Sequence, residues 1–152
     1  SMNRIVFRYA DVLLERAEAF AQLGKTTEAI ALVNQIRSRA ASSTQMIGNY
    51  PSKYGVKFYC KNYTGSYDKE QAIKIVKMER RLELAMESER FFDLVRWGEA
   101  AQTLNSYYAA EKTKCTVYGE AEFTADKGEY LPIPFAQVAA SNGYYTQNIG
   151  NW

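Results

Sequence analysis

Apolar residues recur at helical spacing along most of the chain. Over residues 4–23 they fall at Ile5, Tyr9, Val12, Leu13, Ala17, Phe20 and Leu23, one broad face of a helix. Gly24 stops that helix, and Thr26 or Thr27 is placed to cap a second one, with Glu28 in its first turn. The second helix, over residues 28–40, is predicted to bury Ala29, Ile30, Val33, Ile36 and Ala40. So short a linker makes the two helices antiparallel neighbours. Residues 41–66 break every periodicity with glycine, proline, hydroxyl and amide side chains. They read as a long loop, or a loop with a short hairpin near residues 56–59. A third helix begins near Asp68, capped by Ser66 or Asp68, and carries Ile73, Val76, Met78, Leu82 and Met86. Ser88 marks its end or a kink. A fourth helix over residues 89–97 continues less regularly through residues 100–108. Residues 113–127 are polar and strand-poor, residues 130–134 are extended because each proline disfavours helix before it, and residues 135–140 form a short helical turn.

The stretch ERRLELAMESERFFDLVRWG, residues 79–98, is dense in charge and in rings. A solvated helix has no need of so many aromatics, and a buried one holds so many charges only if they are paired. Glu79, Glu83 and Glu87 stand at i, i+4 and i+8, a row of like charges on one helix face. A catalytic reading makes them a carboxylate pair for glycoside hydrolysis. The structural reading pairs them with guanidinium groups, either Arg80 and Arg90 nearby or Arg8, Arg16, Arg37 and Arg39 of the hairpin, and adds an Asp93–Arg96 pair. The structural reading is the stronger, and Phe91, Phe92 and Trp97 are then expected in the core.

Composition narrows the function. The 152 residues suffice for one domain with a core. The 19 basic and 17 acidic residues are too balanced for a nucleic-acid partner. There is no histidine, the commonest general base and metal ligand, and neither cysteine has a partner at ligand spacing. Catalysis is not excluded, but this inventory leans away from an enzyme, and no metal or cofactor is expected. Cys60 and Cys115 could form one disulfide or remain two thiols. No apolar run is long enough to span a membrane.

The irregular region carries the best candidate site. Tyr50, Tyr54, Phe58, Tyr59 and Tyr63, followed by Tyr67, are interleaved with Lys53, Lys57, Lys61, Asn49 and Asn62. Aromatic faces stack on the apolar face of a sugar ring while amides and hydroxyls bond its hydroxyl groups, and loops commonly present such sites. The competing reading is that these rings staple a long loop to the body.

Four separated motifs resemble the SusD/RagB family of outer-membrane nutrient-binding lipoproteins: RYADVLLERAEAFAQLG (8–24), the charged stretch at 79–98, YLPIP (130–134) and QNIGNW (147–152). Ser88 stands where the family usually has glycine, Phe135-Ala136 replaces a commoner polar pair, and Ile149 stands where proline is usual. The hairpin AEAFAQLGKTTEAIALVNQI also resembles one tetratricopeptide unit, with no second copy at that period. The resemblance implies an all-α, tetratricopeptide-like hairpin scaffold with long irregular loops. It further implies that residues 1–152 form one helical domain, the C-terminal region of a longer chain. It also implies a lipoprotein exposed on the outer membrane and anchored by a lipid outside this segment, which captures glycans and delivers them to a SusC-like TonB-dependent transporter. A tetratricopeptide-type adaptor binding a peptide or protein is the alternative.

Overall fold

The computed structural model describes residues 6–42, 46–47, 50–51 and 60–148. Six α-helices make up most of it: α1 (Tyr9–Gln22), α2 (Thr26–Ala41), α3 (Lys69–Glu83), α4 (Glu89–Arg96), α5 (Ala100–Glu111) and α6 (Phe135–Ala140). The described residues add one antiparallel pair two residues long, β1 (Met46–Ile47) with β2 (Tyr50–Pro51). The fold is the all-α, tetratricopeptide-like arrangement that the periodicity and the family resemblance led one to expect. The chain divides into two compact units, Ser1–Glu87 and Ser88–Trp152.

In the first unit α1 packs on both α2 and α3, and α2 touches α3. The α1–α2 turn is a Schellman motif: Gly24 takes φ +75°, its N–H donates to Ala21 O, and Lys25 N–H donates to Phe20 O. Lys25 is therefore the residue before α2, and Thr26 and Thr27 are its first helical residues rather than its caps. Asp68 does cap α3, in a reciprocal box in which Gln71 N–H donates to Asp68 Oδ1 and Asp68 N–H to Gln71 Oε1.

The core keeps the expected face of α2, with Ala29, Ile30, Val33 and Ile36 buried, and departs from the expected faces of α1 and α3. Leu14, Ile36, Val33 and Val76 are its largest fully buried side chains, each worth roughly 1.5–3 kcal/mol. Around them lie Ala10, Ala17, Ala21, Ala29 and Ala72, small residues that let the three helix backbones approach closely. Tyr9, Val12 and Leu23 stay exposed because the inward face of α1 is the one that carries Ala10, Leu13, Leu14, Ala17 and Ala21. On α3 the inward face is Ala72, Val76, Glu79 and Arg80, so Met78 and Leu82 are exposed, as is Met86 beyond the helix end. Ala40 is only half-buried.

Charge pairing explains that rotation of α3. Arg80 Nη1 donates to Asp11 Oδ1 at 2.9 Å across the α1–α3 seam, with both groups almost fully buried. Glu79 accepts from Arg37 Nη1 at 2.7 Å, Glu83 bridges Arg8 and Arg39, and Glu87 accepts from Arg8 Nε at 2.7 Å. Each glutamate of the row is thus bound to a guanidinium from the hairpin or its lead-in, as the structural reading required. Hydrogen bonding to Arg8 holds the Glu87 carboxyl below its ordinary pKa, and the Glu87 bond likewise raises Arg8 above its own.

The second unit begins at Ser88, which adopts a left-handed conformation at φ +70° as the residue before α4; α3 has already ended at Glu83, ahead of the stop expected at Ser88. Helix α4 buries Asp93 and Leu94, and Asp93 accepts from Arg96 within the same helix. A second Schellman motif ends it, with Gly98 at φ +68°. Phe91 and Phe92 are exposed and Trp97 is half-buried, so these rings are not the core expected of them. An eight-residue helix turns only one narrow stripe inward, and Asp93 and Leu94 occupy it. The rings instead meet one another, Phe91 edge-on to Phe92 and to Phe123, while Arg96 and Arg90 lie over Trp97. Asn105 of α5 accepts from Phe123 N–H at 2.7 Å and donates to Phe123 O at 2.9 Å. Residues 131–134 are extended ahead of α6, and Gln147 clips Ile133 by the same two-bond pattern. Cys60 and Cys115 are both free thiols.

Candidate functional site

Of the five residues singled out from the sequence, Tyr54, Phe58 and Tyr59 lie outside the described residues, and Tyr50 sits in β2. Tyr63 is the one whose side chain is placed. It belongs to an irregular segment, residues 60–67, fastened to α2.

Helix α2 fastens that segment at successive turns. Asn34 Nδ2 donates to Tyr63 O and Tyr63 N–H donates to Asn34 Oδ1, both at 2.8 Å, as a neighbouring β-strand would. One turn on, Arg37 Nε donates to Lys61 O at 2.6 Å, and Asn62 Nδ2 donates to Ser38 Oγ at 2.9 Å. Asn34, Arg37 and Ser38 stand at i, i+3 and i+4, so one face of α2 supplies every tether. Arg37 has a second duty, since its Nη1 holds Glu79 of α3. Burial pulls this guanidinium's pKa down, but the bond and charge of Glu79 outweigh that and leave it raised. The same guanidinium lies 4.8 Å from the centre of the Tyr63 ring, a cation–π contact worth about 0.5–2 kcal/mol.

Tyr63 meets Tyr67 edge-to-face, centroids 5.9 Å apart and planes at 88°, and the Tyr67 hydroxyl accepts from Gly65 N–H. The two rings make a corner over the start of α2. Between them and the helix runs a groove of about 360 Å³, floored by Ile30 and Ala31 and rimmed by Thr26, Thr27, Thr64 and Ser66. Its contents are two aromatic rings, hydroxyl groups and a small apolar floor. That set can stack on a flat apolar face and exchange hydrogen bonds with hydroxyl groups. Tyr63 both staples its segment and lines this groove, so the two readings of it are compatible.

Sequence reasoning placed Tyr67 at the end of the aromatic cluster but did not single out Thr26, Thr27 or Asn34. The threonines looked like caps, and nothing at the sequence level marks Asn34 as a tether for a residue 29 positions away. Among the described residues no cluster of potential metal ligands occurs, and no helix is long and apolar enough to cross a membrane.

A helical, tetratricopeptide-like scaffold holding an irregular segment by side-chain amides is the class this architecture defines. The chain belongs to the SusD family, whose profile matches residues 1–152. It is 41% identical over 102 residues to SusD-like protein P38 of Formosa agariphila, covering 67% of this chain and 18% of that protein. SusD-like protein P25 of the same organism is 28% identical over 148 residues, covering 95% of this chain and 25% of that one. Among solved structures, a SusD homologue from Bacteroides thetaiotaomicron matches with TM-score 0.70 at 24% identity, over 100% of this chain and 30% of that one. A SusD superfamily protein from Bacteroides vulgatus matches with TM-score 0.59 at 31% identity, over 88% of this chain and 24% of that one. The chain thus spans about a quarter or less of the curated relatives named here.

Proposed function

We propose that this chain is the C-terminal helical region of a glycan-capture protein of the bacterial cell surface. It binds poly- or oligosaccharide without cleaving it and passes it to a SusC-like TonB-dependent outer-membrane transporter, held at the membrane by a lipid outside residues 1–152. The observation that carries this reading is membership of the SusD family along the whole chain. The chemistry agrees with it: an aromatic and hydroxyl-rich loop on a rigid helical frame suits sugar rings, and the glutamate row is bound to arginines rather than poised for acid–base work. Tyr50, Tyr54, Phe58, Tyr59 and Tyr63 are the proposed contacts, with modest affinity per ring because sugars are well solvated.

Affinity electrophoresis through gels cast with a panel of polysaccharides tests the proposal. Migration is expected to slow in at least one gel and to recover in a Tyr54→Ala/Tyr59→Ala variant. Unchanged migration in every gel, together with capture of peptides, would favour the adaptor instead. Released reducing ends would point to a hydrolase. A large β-barrel transporter encoded beside this chain's gene is the expected genetic context.

A further inference from the structure

We infer that the Tyr63–Tyr67 groove is a preformed subsite for an uncharged sugar ring, so that the ligand at this position is a neutral glycan rather than a uronate-bearing or sulfated one. The inference rests on the glycan-capture reading and goes further, to the ligand's class and to residues outside the aromatic set. Three features carry it. The groove, at about 360 Å³, falls within the size range of small-molecule sites. Its two rings are fixed at right angles, one covered by Arg37 and the other bonded through its hydroxyl to Gly65, so a ring of sugar meets a corner that is already formed. Little ordering entropy is then lost when it binds.

The third feature is charge. Every described lining residue is neutral. Lys25 and Glu28 flank Thr26 and Thr27 in sequence but do not line the groove, and neither does Arg37, whose guanidinium is engaged by Glu79 and by Lys61 O. A carboxylate or sulfate bound here would give up water without gaining a counter-charge from the described lining residues, which disfavours it. Hydroxyl groups of a neutral ring lose nothing comparable, because Thr26, Thr27, Thr64 and Ser66 offer both donors and acceptors.

The test compares the parent chain with Ala31→Trp and Tyr67→Ala. Ala31 is exposed on α2 and lines the groove, so tryptophan fills the space without entering the core. Affinity electrophoresis is run in gels containing starch, galactomannan, polygalacturonate or alginate, with far-UV circular dichroism as the check on folding. The parent is expected to be retarded by a neutral gel and not by the two acidic ones. Both variants are expected to lose at least tenfold in apparent affinity at unchanged helicity. Equal or stronger retardation by the acidic gels overturns the neutral class. Retardation that survives both groove variants but is lost in Tyr54→Ala/Tyr59→Ala overturns the groove as the subsite while leaving glycan capture standing. A parent chain that no gel retards overturns both.

Discussion

Replacing Asp11 with alanine removes the carboxylate that accepts from Arg80 Nη1 at 2.9 Å, and leaves a guanidinium only 2% exposed in the α1–α3 seam. At a charge separation near 4 Å the attraction lost is about 4 kcal/mol for an effective dielectric constant of 20. The stranded cation adds its own desolvation penalty, and one-sided breakage of buried pairs typically costs about 3–5 kcal/mol. Arg80 keeps a further interaction, so the expected loss lies at the lower end, about 3 kcal/mol. For a chain of this length that lowers Tm by roughly 6–12 °C. Urea unfolding followed by far-UV circular dichroism measures it. The companion variant Asp11→Leu/Arg80→Met removes both charges, and apolar packing is expected to recover most of the loss. An Asp11→Ala protein within about 1 kcal/mol of the parent, or a double variant no better than the single, would refute the claim that this pair fixes how α3 docks on α1.

Asn34→Ala removes both bonds that hold residue 63 to α2, and is expected to cost about 1–3 kcal/mol and to speed amide exchange at Tyr63 far more than in α1; equal protection in parent and variant would argue against the tether. Ser88→Gly relieves a left-handed residue and is expected to stabilise the chain by about 0.5–1 kcal/mol, read from the urea midpoint; a loss of stability contradicts it. The Arg8–Glu87 bond depresses the Glu87 pKa in the folded state, so its contribution is complete above the ordinary glutamate value near 4.3 and disappears as pH falls through the lower folded value. Glu87 is partly exposed, which keeps the effect small. Stability measured between pH 6 and 3 is expected to fall less steeply in Glu87→Gln than in the parent, and identical slopes would remove this pair from the acid response.

Most helix positions were readable because Gly24, Asp68 and the prolines act through local backbone chemistry, whereas α3 ends at Glu83, ahead of the stop expected at Ser88. Which face of each helix turns inward was harder. On α1 the bulk of Tyr9, Val12 and Leu23 outweighed Ala10 and Leu14 in the apolar pattern, yet the face turned inward is the one that carries Ala10, Leu13, Leu14, Ala17 and Ala21. On α3 the charges of Glu79 and Arg80 disguised the inward face, because their partners come from residues 42 and 69 positions away. That the glutamates would be answered by arginines followed from desolvation alone; which arginine answers which did not. The candidate site shows the same divide. Its aromatic content stood out in the sequence, whereas Asn34, which fastens it, carries no local mark.

The clip at residue 63 grips the main chain and ignores the side chain. Any amino acid with a free N–H could stand there and still be held, so what the groove displays is separable from what keeps it in place. A chain built this way can change what its groove presents one substitution at a time, with its frame undisturbed.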